Sequence, residues 1–467
     1  MRLLIAWVLL LGILPGQGGG QPDWGKTDTE TLDHFQSLIR FDTSDPPGGE
    51  KQAVDYLKSV LEREGIPVEV FALESHRPNL VARLKGTGRK RPLLIMAHTD
   101  VVNVDPKKWT HPPFGAIRDG GYIYGRGTVD DKDNVVASLM TMVLLKRQNV
   151  PLERDVIFLA EAGEEGTTRV GIKYMTEQHF PKIEAEYCLA EGGGVSRSGG
   201  KVKFASVQTL EKTPRAIDLV ARGVAGHGSV PLRTNPIVHL SAAVARVAAW
   251  KPPVRINDTT RAYFKRLAGL SAPPDAKRYL DVIGSDQKLV EAADEYFLEQ
   301  EPRHASMIRT SISPNVFQGG YRINVIPSEA RATLDVRTHP DDDPERLLAE
   351  VRKIVNDPAI EVTWGQRDVR PSSGSAELDS EAFTAIEAGI TKHYGAVTLP
   401  VMSTGATDMA YLRAKGIQCF GLGPATDLED GPKGFGAHSD QERILESELH
   451  RFVTFYYDLV LTLARAQ

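Results

Sequence analysis

Apolar residues along this chain occur either in short continuous runs or in longer stretches with helical spacing. The short runs, which are typical of strands, lie at 68–73, 79–84, 93–97, 155–160 and 187–190. The stretches with helical spacing lie at 28–38, 50–64, 135–147 and 445–463. Because strands alternate with helices and several runs are apolar throughout, we expect an α/β fold with a mainly parallel sheet covered by helices on both faces.

The pattern changes near residue 207. Strands are predicted at 215–223, 311–319 and 330–337, and helices at 236–250 and 344–355. These elements indicate a small α+β domain inserted into the first one. We therefore expect a leader at 1–20, a first domain formed by 21–214 and 371–467, and an inserted domain at 215–370 that contains a helical insertion at about 252–310.

The N-terminus has the features of a secretory signal peptide. Arg2 precedes an apolar run from Leu3 to Leu14, and Pro15 and a glycine-rich stretch follow. The run is too short to span a bilayer comfortably, so no stable membrane span is expected once the signal is removed. The prediction is export to a periplasm or the exterior, with an uncleaved membrane anchor as the alternative.

Composition narrows the functional classes. The 467 residues include 41% hydrophobic and 25% charged residues, and the formal net charge is −5. A nucleic-acid-binding protein would carry a basic excess, so no nucleic-acid partner is expected. Cys188 and Cys419 lie in apolar, strand-like stretches without the spacing of a metal site, and we expect two buried thiols rather than a disulfide.

Polar side chains capable of metal chemistry follow the apolar run at 93–97. His98 and Asp100 are two residues apart, so on a strand they point to the same side. A metal-bound imidazole usually donates its other N–H to a carboxylate or carbonyl, which suggests a ligand and its orienting partner. Taken alone, such a pair is more often a surface turn, so the interpretation depends on the other acids and histidines of the chain.

Other candidate ligands lie at the ends of elements of the same predicted domain. They are Asp130, Glu165, Glu191 and His438. Together with His98 they would hold two divalent ions if one carboxylate bridges, and this donor set suits zinc, with cobalt or manganese as substitutes. Glu164 is adjacent to Glu165 and faces another way, so it can accept a proton from a water activated by the metals. A solvated acidic turn is the alternative for this pair.

The order of these motifs resembles the M20 family of metallopeptidases, which includes glutamate carboxypeptidase, succinyl-diaminopimelate desuccinylase, aminoacylase-1 and carnosinase. The motifs, in chain order, are Ala97-His98-Thr99-Asp100, Gly125 to Lys132, Gly163-Glu164-Glu165-Gly166, Glu191-Gly192-Gly193, Gly226-His227-Gly228-Ser229 and Gly436-Ala437-His438-Ser439.

The resemblance implies a two-zinc catalytic domain interrupted by a lid domain that also forms a homodimer. It implies that Asp130 bridges the ions, with His98 and Glu191 on one ion and Glu165 and His438 on the other. It also implies that Glu164 is the general base, that Asp100 orients His98, and that the Asp130–Asp131 peptide is cis.

The same resemblance extends to the predicted lid. It implies that His227 donates a hydrogen bond to the reacting carbonyl oxygen in the partner subunit, and that Asn324 and Arg337 grip the carboxylate of the substrate. Arginine suits this task because its planar fork binds carboxylates bidentately. The alternatives are a turn-capping role for His227 at the dimer surface and an ion pair of Arg337 with Asp335.

The sequence therefore predicts a secreted, dinuclear zinc hydrolase of small peptides or N-acyl amino acids. It would cleave an amide next to a free carboxylate, as a carboxypeptidase, dipeptidase or N-acyl-amino-acid hydrolase. The alternatives are a zinc aminopeptidase of another family, which would not explain the inserted lid, and a non-catalytic binding protein, which would not need Glu164.

Overall fold

The apolar runs of the sequence form the strands of the structure, and the stretches with helical spacing form helices around them. The computed structural model describes residues 21–366, 369–372 and 374–466. The strands are β1 (Ser44–Asp45), β2 (Val68–Phe71), β3 (Asn79–Leu84), β4 (Leu93–His98), β5 (Val101–Val102), β6 (Ile117–Asp119), β7 (Tyr122–Tyr124), β8 (Val156–Glu161), β9 (Tyr187–Ala190), β10 (Gly194–Ser198), β11 (Lys201–Glu211), β12 (Thr213–Arg222), β13 (Gly226–His227), β14 (Ser311–Gly319), β15 (Val325–Ile326), β16 (Glu329–Thr338), β17 (Ile360–Trp364), β18 (Thr398–Ser403), β19 (Gln418–Gly421), β20 (Ala425–Asp427) and β21 (Arg443–Leu445). The helices are α1 (Trp24–Arg40), α2 (Lys51–Arg63), α3 (Lys132–Arg147), α4 (Ile172–Gln178), α5 (Phe180–Ile183), α6 (Pro236–Ala249), α7 (Asp258–Ala268), α8 (Pro273–Val282), α9 (Gln287–Gln300), α10 (Pro302–Met307), α11 (Pro344–Val355), α12 (Glu381–Tyr394), α13 (Met409–Ala414) and α14 (Glu446–Ala464).

A large sheet has the strand order β2-β3-β8-β4-β9-β19-β11-β10-β20, with β18 paired to β11. The central strands β8, β4, β9 and β19 are parallel, whereas β2, β3 and the pair β10–β11 add antiparallel contacts. The α/β class is confirmed, with a sheet that is parallel at its centre and mixed overall. Because parallel strands end at the same edge, the loops after β4, β8 and β9 meet there.

Side chains of β4 alternate between two apolar layers. Leu93 and Ile95 pack into a core that includes residues of α3 and α14. Leu94 and Met96 pack into a second core, with residues of α4 and α13. Because β4 is buried along its whole length, its sequence is apolar throughout rather than alternating. Helices on both faces of the sheet, as the sequence predicts, are thus confirmed.

A smaller antiparallel sheet has the order β14-β16-β12-β17. Helices α6 and α11 bury their apolar residues with those of this sheet in a separate cluster. The strands and helices predicted in this part of the sequence are confirmed, and β14 lies at one edge of the sheet. The division of the chain into domains at 214/215 and 370/371 stays a prediction.

The helical segment α7–α10 packs on the large sheet. Phe264 and Phe297 lie in one apolar cluster with Leu210 of β11 and with Leu399 and Met402 of β18. The sequence places this segment within the inserted domain, but its apolar side chains contact the neighbouring strands of the large sheet. The segment α7–α10 therefore covers part of the large sheet, whereas α6 and α11 pack on the four-stranded sheet.

Cys188 and Cys419 lie directly opposite each other on the parallel strands β9 and β19. Both are fully buried and present free thiols, as the sequence predicts. The predicted signal peptide at 1–20 lies outside the described residues. Among the helices that the structure describes, none combines the length and the hydropathy needed to cross a bilayer.

Candidate metal centre

The candidate ligands converge at one edge of the large sheet. His98 is the last residue of β4, and it pairs with Glu161, the last residue of β8. Glu165 follows in the loop after β8, and Glu191 comes directly after β9. Parallel strands place these three positions side by side because their carboxyl ends share an edge.

One ligand group consists of His98, Asp130 and Glu191. Its potential donor atoms all lie within 4.8 Å of one another. The Nε2 atom of His98 is 3.1 Å from Oδ1 of Asp130 and 3.9 Å from Oε2 of Glu191. Asp130 is brought to this edge by the turn before α3, and its peptide bond to Asp131 is cis, as the resemblance implied.

The second ligand group consists of Asp130, Glu165 and His438. The Nε2 atom of His438 lies 3.0 Å from Oδ2 of Asp130 and 2.8 Å from Oε1 of Glu165. Asp130 therefore contributes one oxygen to each group. The structure brings all five predicted ligands together, and the assignment of each to a particular ion stays a prediction.

The electrostatics of this cluster fit divalent cations. Burial raises the pKa of Glu191, and the charge of Glu164 raises it further. Burial likewise raises the pKa of Glu165, with the charge of Asp130 adding to the effect. Hydrogen bonds to Asp130 and Glu165 raise the pKa of His438 to about 10. Carboxylates at such short range repel one another unless some of them bind protons. Divalent cations can take the place of those protons, as they do in a metal site.

Asp100 connects the end of β4 to the loop after β8. Its carboxylate accepts hydrogen bonds from the backbone amides of Glu164 (3.2 Å) and Glu165 (2.9 Å). Its Oδ1 atom is 3.6 Å from Nδ1 of His98, while the carbonyl oxygen of Asp100 is 3.0 Å from the same nitrogen. Asp100 thus orients the loop that carries the two glutamates as well as contacting the imidazole.

A buried ion-pair network packs against the loop after β8. Arg77 lies 2.6 Å from Asp45 and 2.6 Å from Glu50, and all three side chains are buried. The carboxylate of Asp45 packs directly on Gly166, where a Cβ atom would lie 2.1 Å from a carboxylate oxygen. Only glycine fits next to Glu165 at this point, which explains the Gly166 of the sequence motif.

A cavity of about 520 Å³ opens at the ligands. Its lining includes Asp130, Glu164, Glu165, Glu191 and His438 together with Arg337 of β16. Arg337 is at the same time paired with Asp335, at 2.9 and 3.1 Å. The ion pair weighed as an alternative for Arg337 is therefore present, yet Arg337 also lines the cavity.

His227 and Asn324 lie elsewhere on the chain, next to each other. Strand β13 pairs with β15, and the Gly228 amide donates to the Asn324 carbonyl at 2.9 Å. His227 is exposed, with Nδ1 2.7 Å from the Ser229 hydroxyl, and neither residue is among those that line the cavity. Arg337 lines the cavity and Asn324 does not, with β15 and the first eight residues of β16 between them in the chain, so the shared role predicted for the two residues stays a prediction.

Arg370 belongs to the cavity but was not identified from the sequence. Its Nη1 atom is 2.7 Å from Oε1 of Glu164, and its Nη2 atom donates to the Glu164 carbonyl at 3.1 Å. Asp408, in the loop after β18, is 3.4 Å from the same guanidinium. Asp408 follows β18 as the other acids follow their strands, but that strand was not predicted from the sequence, and Arg370 lies in an irregular segment.

Comparison with known proteins agrees with this geometry. The sequence model of Peptidase family M20/M25/M40 matches residues 94–462. A probable carboxypeptidase S-like 2 from Dictyostelium discoideum is 28% identical over 398 residues, which are 82% of this chain and 74% of that protein. The human N-fatty-acyl-amino acid synthase/hydrolase PM20D1 is 28% identical over 334 residues, which are 69% of this chain and 64% of that protein.

Solved structures show the same fold. The M20 family metallo-carboxypeptidase Sso-CP2 from Sulfolobus solfataricus superimposes with a TM-score of 0.70 at 21% identity, covering 92% of this chain and 98% of that chain. A dinuclear metal-binding peptidase of the same family from Bacillus subtilis superimposes with a TM-score of 0.59 at 15% identity, covering 94% and 99% of the two chains.

Proposed function

Because the chain belongs to peptidase family M20/M25/M40 and is therefore a metallopeptidase or amidohydrolase, we propose that it is a dinuclear zinc enzyme that cleaves an amide next to a free carboxylate. The observation that carries this proposal is the shared position of Asp130 between two ligand groups in the cavity that also contains Glu164. Small peptides and N-acyl amino acids are the proposed substrates, since both present a carboxylate beside the amide.

The proposed metal ligands divide into two sets that share Asp130. His98, Asp130 and Glu191 would hold one ion, and Asp130, Glu165 and His438 the other. Two imidazoles with three carboxylates suit zinc, and cobalt or manganese can replace it. When bound, the ions supply Lewis acidity, which lowers the pKa of a bound water and polarises a substrate carbonyl.

Glu164 is proposed as the general base. Its potential donor atom lies within 4.8 Å of those of His98 and Glu165. Adjacent carboxylates nevertheless have different partners, because Glu165 faces His438 whereas Glu164 faces Arg370. This separation lets Glu165 bind metal while Glu164 accepts the proton of the attacking water and returns it to the leaving nitrogen. Asp100 maintains the separation by binding both backbone amides.

Arg337 is proposed to bind the substrate carboxylate. It lines the cavity together with the metal ligands and offers a planar guanidinium. Two relatives, a probable carboxypeptidase S-like protein and an N-fatty-acyl-amino acid synthase/hydrolase, are named for activities on amides next to a carboxylate. Asp335 holds the Arg337 guanidinium by two hydrogen bonds, so it can present the arginine to the cavity in a fixed orientation.

His227 and Asn324 are proposed to act in the partner subunit of a homodimer. Both lie outside the cavity of their own chain, and the segment beside them exposes Tyr321 (83%) and Ile323 (102%). Strand β14 is an edge strand, so its backbone can pair with a second copy. In such a dimer, His227 can donate to the developing oxyanion of the other subunit.

Export through a signal peptide at 1–20 also stays a proposal. Sequencing the N-terminus of protein recovered from the culture medium or periplasm tests it. An N-terminus near residue 21 supports cleavage, and a cell-retained chain that begins at Met1 contradicts it.

The substrate class is tested by turnover of zinc-loaded protein on matched amides. The panel contains dipeptides, dipeptides with blocked amino groups, N-acyl amino acids, and the C-terminal amides of all of these. We expect hydrolysis of substrates with a free carboxylate and much slower hydrolysis of their amides. Turnover that requires a free amino group would favour an aminopeptidase, and metal binding without any turnover would favour a binding protein.

A further inference from the structure

The candidate base is held by an arginine from an unexpected part of the chain. Arg370 lies between β17 of the four-stranded sheet and α12 of the large-sheet layer. Its side chain is 13% exposed and reaches the loop after β8. The segment that returns from the smaller sheet thus contacts the residue proposed to move the proton.

Two contacts join Arg370 to the same glutamate. Nη1 lies at ion-pair distance from Oε1 of Glu164 (2.7 Å), and Nη2 donates to the backbone carbonyl of Glu164 (3.1 Å). A single planar group therefore restrains both the backbone and the carboxylate of this residue. A change of the Glu164 rotamer would break the ion pair with Nη1, so this contact favours the observed rotamer.

Two acidic side chains face the Arg370 guanidinium, and Glu164 is the nearer of them. Asp408 is 3.4 Å from Nη1, and neither of its carboxyl oxygens has a hydrogen-bond partner among the described residues. A buried guanidinium needs a charged partner to offset its desolvation, and Glu164 is the partner at the shorter distance.

We propose that Arg370 is a positioning residue that holds the Glu164 carboxylate at the metal cavity in the orientation needed for proton transfer. The proposal rests on the proposed role of Glu164 as general base. A proton acceptor must lie within hydrogen-bond reach of the attacking water, and a misplacement of about 1 Å can cost about a hundredfold in rate. The position of the base therefore depends on the segment that connects the two sheets.

Kinetics of Arg370 variants test the proposal. In Arg370→Ala we expect kcat to fall about a hundredfold while KM and metal content stay close to those of the wild type. Arg370→Lys should lose less, about tenfold, because it keeps the charge but not the planar fork. Added guanidinium ions should recover part of the lost kcat in Arg370→Ala and none in Glu164→Gln.

Arg83 provides a matched control. It also pairs with one carboxylate and one backbone carbonyl, Asp155 and that of Lys182, both at 2.9 Å. Arg83 pairs with Ile157 near the start of β8, away from the edge that carries the metal ligands. In Arg83→Ala we expect wild-type kcat and no response to guanidinium.

A crystal structure of metal-loaded Arg370→Ala provides a readout that does not depend on activity. We expect the Glu164 carboxylate to move or to adopt a second rotamer, while Glu165 and His438 keep their positions. An unmoved Glu164 overturns the proposal, even if no substrate has been found. A raised KM for free-carboxylate substrates with unchanged kcat also overturns it, because Arg370 would then bind substrate directly. If the wild type hydrolyses none of the substrates but Glu164 is displaced in the variant, only the proposed function is contradicted.

Discussion

The edge of the large sheet and the exposed turn at His227 differ in how completely one chain satisfies their polar groups. At the sheet edge, His98, Asp130 and Asp100 have short-range partners from other elements. At the turn, His227 contacts Ser229 of the same turn and is otherwise open to solvent. The polar groups at the sheet edge therefore form a site within one chain. The His227 imidazole, in contrast, does not line the cavity of its own chain.

Removal of the metals should have the largest effect. We expect about two equivalents of zinc in active protein and a complete loss of turnover after chelation, restored by zinc or cobalt, because the ions both activate water and polarise the carbonyl. Elemental analysis and assays of chelated and reconstituted protein measure this. Active protein that contains no divalent ion would refute the dinuclear assignment.

Substitution of the proposed base should come next. Glu164→Gln should lower kcat by about 10²–10⁴-fold while both metals are kept, because only the proton acceptor is removed. Glu165→Gln, its matched control, should instead weaken the binding of one ion. Metal analysis and steady-state kinetics distinguish them, and identical metal content and rates in the two variants would contradict the division of roles.

The exposed turn is tested by mixing subunits. His227→Ala should lower kcat by about 10²–10³-fold if the imidazole stabilises the oxyanion. Heterodimers of His227→Ala and Glu164→Gln should recover up to half of the wild-type activity, because one of the two sites then has both residues intact. No recovery in demonstrated heterodimers would place His227 in its own subunit's site or outside catalysis.

Arg337 lies on the smaller sheet but faces the cavity of the larger one. Arg337→Lys should raise KM by about tenfold or more for free-carboxylate substrates, since the charge-assisted bidentate contact is lost, and much less for the corresponding amides. Paired kinetics on acids and amides measure the difference. Equal effects on both substrate types would favour a purely structural ion pair with Asp335.

The smallest expected effect concerns pH in the metal-free protein. Hydrogen bonds to Asp130 and Glu165 raise the pKa of His438 to about 10, above its ordinary value. Protonated His438 therefore stabilises the folded state, fully so below about pH 6.5. This contribution is lost as the pH rises through 10. The Tm of chelated protein should fall by no more than about 2 °C from this source, because His438 is 55% exposed at its side chain. The fall should be absent in His438→Ala.

The large sheet could be predicted because each buried strand carries its own signal. The run at 93–97 is apolar on both faces and ends in His98, so the sequence marks both the strand and the edge where the chemistry lies. Glu165 and Glu191 follow other strands in the same way, and their approach follows from parallel topology. His438 lies in a glycine-rich loop, where a lone histidine would indicate only a surface position, and it is informative only together with the other ligands.

The remaining features depend on tertiary contacts that have no local signal. Arg370 lies in an irregular segment, so nothing in its neighbours predicts its contact with Glu164. The amphipathic residues of α7–α10, such as Phe264, predict helices but do not indicate which sheet they cover. Asn324 and Arg337 are close in the sequence, yet only Arg337 lines the cavity, because the chain turns between β15 and β16.

The paired cysteines make the centre of the large sheet chemically observable. Cys188 and Cys419 face each other across β9 and β19 and are fully buried. A thiol-labelling reagent can reach them only after these strands separate, since no partial exposure exists in the folded state. The labelling rate therefore reports the opening of the strand that leads into Glu191, and no cysteine has to be introduced.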